Sequence, residues 1–413
     1  MKKLYFPTRQ EIHQNPIGWL CAFWVLTSAI AATLVPRATV IFLILAGIGI
    51  LAHSIHKKNA PLFPPRFFTG ALAGILILAV ASLLWSVAPD ETLRRLPRTS
   101  SLFLFGLLAL AATRHTTPKI ADWAMTLTTL ALAIAFAFIA IEIYSDFAIY
   151  RTFIAPFKQS SIKAFKTTTF INQPALLFAL FLWPVVLALW VKGFRSLSIL
   201  FIGLSLFVFI PSNSQSVGLA LIAGSLACGL TAMFPRAMKI WLSLAIISLM
   251  IAMPSLPKSL QSLFTGYENW IPQSGMHRLE IWNFVVGKIA EKPLMGYGLE
   301  ASRILGRDEI STVIPGATLF SLHPHNGFLQ MWLELGLGGY VILGLLCLWL
   351  VHRISQLEGA SKAFATGFFV CSLSLFSTAY GMWQSWLIGA GFSAAGALLL
   401  SLKLAVYSSQ TDN

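Results

Sequence analysis

The sequence predicts an all-α polytopic membrane helical bundle, and three observations carry that prediction. Of 413 residues 57% are hydrophobic and 11% charged, about half the charged share of a soluble domain. Apolar runs of roughly 17–25 residues, the length that crosses a bilayer as helix, recur along the chain. These runs are continuous and lack period-two alternation, which excludes a β-barrel. The net charge of +14 would suggest nucleic acid in a soluble protein. Here the basic residues are scattered through short loops, and a nucleic-acid partner is excluded.

About twelve spans follow in order, near 17–35, 38–54, 68–87, 99–113, 121–144, 173–192, 196–211, 216–233, 237–253, 327–351, 362–381 and 385–402. The polar start before the first run has no small-residue cleavage site, so an uncleaved first span is expected. Cys21, Cys228, Cys347 and Cys371 fall inside apolar runs without metal-type spacing and read as small buried residues. No repeat or low-complexity linker divides the chain. Residues 1–413 read as a single membrane domain with one large insertion at 254–326.

Lys and Arg in the short loops set the orientation. With Lys2, Lys3 and Arg9 inside, the same side collects Lys57, Lys58, Arg114, Lys119, Arg236, Lys239, Arg353 and Lys403. Both termini then lie in the cytoplasm. Three segments on the opposite face are nevertheless basic: 88–98 with Arg94, Arg95 and Arg98, 145–172 with Arg151, Lys158, Lys163 and Lys166, and the 254–326 loop. Positive charge kept in a short loop against the topology signal suggests an anionic ligand. Pairing with Asp90 and Glu91, or with lipid phosphates, explains 88–98 equally well.

Within 254–326, Trp282, Val285, Val286 and Ile289 recur at helical spacing while Arg278, Glu280, Asn283 and Lys288 lie off the stripe. Pro293 ends this amphipathic helix and Gly296-Tyr297-Gly298 makes a turn. Lying in the membrane interface, the helix would hold Arg278 at headgroup level, where its permanent charge and forked donors suit a phosphate. Spacing alone favours a plainer arrangement, with the helix packed on the bundle and Arg278 paired to Glu280 or another acid.

The most informative stretch is His323-Pro324-His325-Asn326-Gly327, where the 327–351 span begins. Asn326, Gln330 and Glu334 form a polar stripe two turns into that span, so the helix is expected to line an interior cavity open to the outer side. His325, at the positive end of the helix, is expected to stay neutral, the state a general base needs. Helix capping competes as a role for such residues and is the expectation for His323. No nucleotide-binding Gly-Lys-Ser/Thr loop and no Asp-rich metal pair appears. An outward-facing enzyme would therefore need an activated donor already in the membrane, its phosphates held by arginine, with neither metal nor cofactor.

These residues resemble the O-antigen ligase family of bacterial envelope glycosyltransferases. The family signature, His followed by Asn, Ser or Gln, nine residues and Gly, reads here as His325, Asn326, the nine residues 327–335 and Gly336, with Gly339 after it. Arg278, Trp282 and the Pro293-Leu294-Met295-Gly296-Tyr297-Gly298 stretch resemble the family's large periplasmic loop. Leu84-Trp85-Ser86 and Phe170-Ile171-Asn172-Gln173-Pro174 are fainter echoes. Ser212-Asn213-Ser214-Gln215-Ser216 lacks the Ser-Arg pair found there in many relatives.

The resemblance implies a GT-C-like bundle in the bacterial inner membrane with a periplasmic site. It implies transfer of a glycan from undecaprenyl diphosphate to a sugar hydroxyl of lipid A–core, inverting the anomeric centre. His325 would activate the acceptor hydroxyl and Arg278 would hold the diphosphate. Arg94, Arg95 and Arg98 would assist, with Lys163, Lys166, Asn326 and Glu334 as further substrate-binding residues. An O-antigen polymerase or a protein O-oligosaccharyltransferase shares the donor and differs in acceptor. A transporter is a rival of another class, because intramembrane Gln330 and Glu334 also suit a permeation path.

Overall fold

A computed structural model describes residues 7–58, 63–154, 171–212, 214–266, 271–316, 318, 319 and 322–411. Among the described residues the regular structure is helical, with one isolated antiparallel bridge between Ile310 and Thr318. Among the described residues nine helices are long and apolar enough to cross a membrane, or ten if Met238–Ala252 and Leu256–Phe264, bent by 86°, form one span. Two shorter apolar helices, Pro16–Ala32 and Arg195–Phe209, coincide with the remaining expected spans.

The bundle is organised around Asn172–Val191, which is apolar on every side and buried along nearly its whole length. A helix without a polar face is stable only with neighbours all round it. It packs against the Ser385–Thr411, Gly359–Thr378 and Pro16–Leu34 helices. Trp183 is fully buried, its ring lying where a β-carbon on Gly224 or Gly367 would fall. Cys21, Cys347 and Cys371 are buried, as expected; Cys228 is half-buried instead.

A second apolar cluster joins the insertion to the bundle. The expected amphipathic helix is Gln273–Glu291, and Ile281, Val285 and Ile289 bury against Tyr297, Phe328, Leu329 and Leu333. Its apolar face is therefore satisfied by protein rather than lipid.

The Gly327–Ser355 helix is broken at Gly336, whose φ of 66° and ψ of −167° are not helical. The segment 293–298 is spliced into the break. Tyr297 N–H donates to the Leu333 carbonyl at 2.8 Å, Gly298 N–H to the Glu334 carbonyl at 2.9 Å, and Leu337 N–H to the Pro293 carbonyl at 2.9 Å. The groups freed by the kink are thus paired by the loop, as a low-dielectric setting demands. Residues 337–355 alone rise about 28 Å at 1.5 Å per residue, close to the hydrocarbon thickness of about 30 Å. The segment before the kink is free to build the site.

The basic segment 88–98 is not a loop. Pro89–Ala112 is one helix, opened by Pro89 and carrying Asp90 and Glu91 in its first turn, where the helix dipole favours acids. Arg94, Arg95 and Arg98 therefore project from a helix. Val87 N–H donates to the Tyr297 carbonyl at 3.0 Å and Trp85 Nε1–H to the Met295 carbonyl at 3.1 Å. Leu84-Trp85-Ser86 is thus the seat of the Gly296-Tyr297-Gly298 turn. Gly298, at φ 99°, approaches Ser86 so closely that a β-carbon would lie 2.3 Å from Ser86 Oγ.

Candidate functional site

The site forms where three pieces meet: the start of the Gly327–Ser355 helix, the Gln273–Glu291 helix, and the turn 379–384 between the last two helices. Asn326 is the N-cap. Its Oδ1 accepts from Phe328 N–H and Leu329 N–H, both at 3.1 Å, while Nδ2 lies 3.8 Å from Met253 Sδ. Oδ1 is thus committed to the cap.

His325 directly precedes this cap in a left-handed conformation, φ 54°, a strained state for a non-glycine residue. Its ring is fixed by a 2.6 Å hydrogen bond between Nδ1 and the Ala379 carbonyl. A carbonyl only accepts, so Nδ1 carries the proton and Nε2 keeps its lone pair. Nε2 makes no hydrogen bond to any described residue. Burial pushes the imidazole down to about 4, against the Ala379 bond, and the positive charge of Arg278 lowers it further. Burial, more than the helix end, is thus what favours the neutral imidazole.

His323 is not a cap, contrary to expectation. It is buried, packs edge-on against His325 with ring centroids 4.3 Å apart, and its Nδ1 has no partner. Desolvation holds it well below the usual histidine range, with His325, Arg303 and Arg278 adding to the shift in that order.

Arg278 comes to the same place. The guanidinium is largely desolvated, which lowers its proton affinity, and the Tyr380 hydroxyl is its countervailing neighbour. It forms no ion pair with a described residue. The alternative of pairing with Glu280 fails on geometry, because that carboxylate accepts from Ser311 Oγ at 2.6 Å and from Thr312 N–H and Oγ1 at 2.7 and 2.6 Å. The helix therefore packs on the bundle as expected, while Glu280 is not the partner and no other acid pairs with Arg278 among the described residues.

The Asn326, Gln330 and Glu334 stripe does not line an open cavity. Glu334 is fully buried and accepts four hydrogen bonds: from Glu300 N–H and Ser302 Oγ at 2.6 Å, Trp383 Nε1–H at 2.7 Å and Gln330 Nε2 at 3.0 Å. Gln330 Oε1 accepts from Met382 N–H at 3.0 Å. A carboxylate out of water needs that many donors, and meeting the need stitches the 300–302 and 381–383 turns to the helix. The residue is a crosslink, with no oxygen left for a ligand.

Of the other expected residues, Arg94 is exposed and pairs with Glu91 at 2.6 Å, Arg95 Nε lies 3.7 Å from the same carboxylate, and Arg98 is exposed without an ion pair among the described residues. Lys163 and Lys166 lie outside the described residues. Tyr380 and Arg303 were not anticipated. Tyr380 sits in a short turn far along the chain, and Arg303 was one of many basic residues in the insertion. Among the described residues no group of three His, Cys, Asp or Glu converges as metal ligands would.

Beside the site an apolar cavity of about 310 Å³ runs between the helices, with Gly327, Phe328, Met382 and Trp383 in its wall near His325.

Fold and site together define a polytopic helical membrane protein in which a buried His323, a half-buried His325 and an arginine without an ion pair among the described residues meet at one end of the bundle. Residues 199–344 match the family described as O-antigen ligase, a segment that holds Arg278, Arg303, His325 and Gly336. Through that segment the chain is similar to the O-antigen ligase family. It is 36% identical over 122 residues to a "Putative polysaccharide ligase" of Rickettsia conorii, covering 29% of this chain and 30% of that protein. A protein of the same description from Rickettsia prowazekii is 25% identical over 233 residues, 54% of this chain and 56% of the relative. The matches thus span about a third to about half of these relatives.

Proposed function

We propose that the protein is a membrane glycosyltransferase of the O-antigen ligase type. It moves a glycan from undecaprenyl diphosphate to a sugar hydroxyl of lipid A–core at the periplasmic face of the inner membrane, with both termini cytoplasmic. The observation that carries this reading is a neutral imidazole whose Nε2, among the described residues, has no partner, held beside an arginine that has no acid partner among them.

Each half of that arrangement answers one demand of the reaction. As the acceptor oxygen attacks the anomeric carbon it must lose a proton, and Nε2 of His325 takes it. As the glycosidic bond to phosphate breaks, negative charge grows on the leaving diphosphate, and the preorganised guanidinium of Arg278 stabilises it in a partly dry site. The Nδ1 bond to Ala379 fixes the tautomer and stabilises the imidazolium as it forms. Displacement by the acceptor inverts the anomeric centre. The neighbouring apolar cavity supports a substrate with a hydrocarbon chain.

The test uses purified protein with lipid-linked donor and lipid A–core acceptor, in the presence of EDTA. Transfer is expected to proceed, and His325→Ala or Arg278→Ala to abolish it while leaving expression intact. Full activity in His325→Ala would falsify the base role. Cells lacking the gene should lose long glycan on lipid A and accumulate undecaprenyl-linked polymer; single-repeat caps would instead indicate a polymerase.

A further inference from the structure

Accepting the proposed donor, we infer that Arg303 is the second guanidinium of the diphosphate site, set in place by Glu300 and, through the Glu300 backbone, by Glu334. One cation is few for a leaving group with two phosphates. Arg303 fills that deficit from a different part of the chain.

The placement is built link by link. Thr92 Oγ1 donates to the Leu299 carbonyl at 2.7 Å, and Leu299 N–H to Ser82 Oγ at 3.1 Å, which anchors the turn before Glu300. Glu334 then grips Glu300 N–H and Ser302 Oγ, both at 2.6 Å. Held at both points, Glu300 adopts φ 63°, a left-handed strained conformation. Its carboxylate reaches Arg303 Nε at 2.5 Å, with side-chain exposures of 2% and 12%.

A buried ion pair is weak evidence for stability, because desolvating both ions offsets their attraction. This one is also incomplete. Glu300 Oε1 is buried without a partner, and the terminal nitrogens of Arg303 bond no described residue. Binding through Nε leaves the outer edge of the fork available, the edge that meets a phosphate in two parallel hydrogen bonds. Ser302 Oγ donates to the Leu322 carbonyl at 3.3 Å, which brings the Ala301–Arg303 turn beside His323, and His323 packs on His325. The charges of Arg303 and Arg278 both act on the His323 imidazole. Arg95 and Glu91 stand behind Glu300 and add to the local field.

The inference predicts discrimination between one phosphate and two. Purified protein in nanodiscs is titrated with geranylgeranyl diphosphate and with geranylgeranyl monophosphate at fixed ionic strength. The wild type should prefer the diphosphate by about tenfold, the scale of one charge-assisted hydrogen bond. Arg303→Gln should lose that preference with monophosphate affinity nearly unchanged, whereas Arg278→Gln should weaken both. Glu300→Gln, which loosens Arg303, should reduce the preference part-way. In transfer assays Arg303→Gln should raise the donor KM more than it alters the acceptor KM. Should Arg303→Gln fail to fold, Arg303→Lys keeps the charge without the fork and should still reduce the preference. A tenfold preference that survives in these variants, or a loss confined to the acceptor KM, overturns the inference and leaves the Arg278 reading standing. A wild type that binds neither probe removes the donor reading and this inference together.

Discussion

Gly336→Ala is the sharpest test of how the insertion and the long helix are joined. At φ 66° and ψ −167° the position suits glycine alone, and an L-residue there costs about 1–3 kcal/mol. A β-carbon would also lie 2.1 Å from the Leu294 carbonyl oxygen. That obstacle is backbone, so no rotamer change relieves it, and overpacking adds about 1–3 kcal/mol. If the loop instead pulls away, the three backbone hydrogen bonds across the kink are lost, at about 1 kcal/mol each. Either route gives roughly 2–6 kcal/mol. Gly338→Ala, two residues on, is the control: its β-carbon meets only the Leu78 side chain, with Cδ1 at 3.4 Å and Cδ2 at 3.8 Å, and alanine is the better helix former by about 1 kcal/mol. Thermal unfolding in detergent, followed by tryptophan fluorescence, should show Gly336→Ala melting well below the wild type and Gly338→Ala at or slightly above it. Equal midpoints for the two variants would mean that the break does not need glycine and that the splice is not what holds the loop.

Glu334→Gln puts an amide N–H₂ where one carboxylate oxygen accepted two donors, and the opposed or lost bonds should cost about 2–6 kcal/mol, read as a lower unfolding midpoint. Because burial lowers His325 to about 4, the base is neutral above that pH; transfer rates should hold from pH 8 to near pH 5, and an acid limb centred near 6.5 would show an unshifted histidine. The same lowering means that the unfolded chain binds protons between about pH 6.5 and 4 that the native chain refuses, so stability should fall as pH drops through that window. Asn326→Ala removes the cap of the signature helix and should destabilise by about 1 kcal/mol while lowering turnover through a displaced His325. Arg94→Ala should leave the unfolding midpoint close to wild type, since its partner Glu91 also faces Arg95 and the pair is exposed.

The sequence by itself determined the class of this protein and the chemistry available to it. Hydrocarbon thickness fixes the length of an apolar helix, so the spans, the amphipathic Gln273–Glu291 helix and the turn at Gly296 were readable from residue order. Which titratable residues meet was not, because Arg278 and His325 lie 47 positions apart. Tertiary structure decided which polar group does what, because a buried polar group is defined by partners that can come from anywhere in the chain. Glu334 reads as a cavity residue until Glu300, Ser302 and Trp383 close around it. Local sequence cannot distinguish the His325 whose ring is locked by Ala379, 54 positions away, from the neighbouring His323. Nor can it show that Glu280 is committed to Ser311 and Thr312, which takes it away from Arg278.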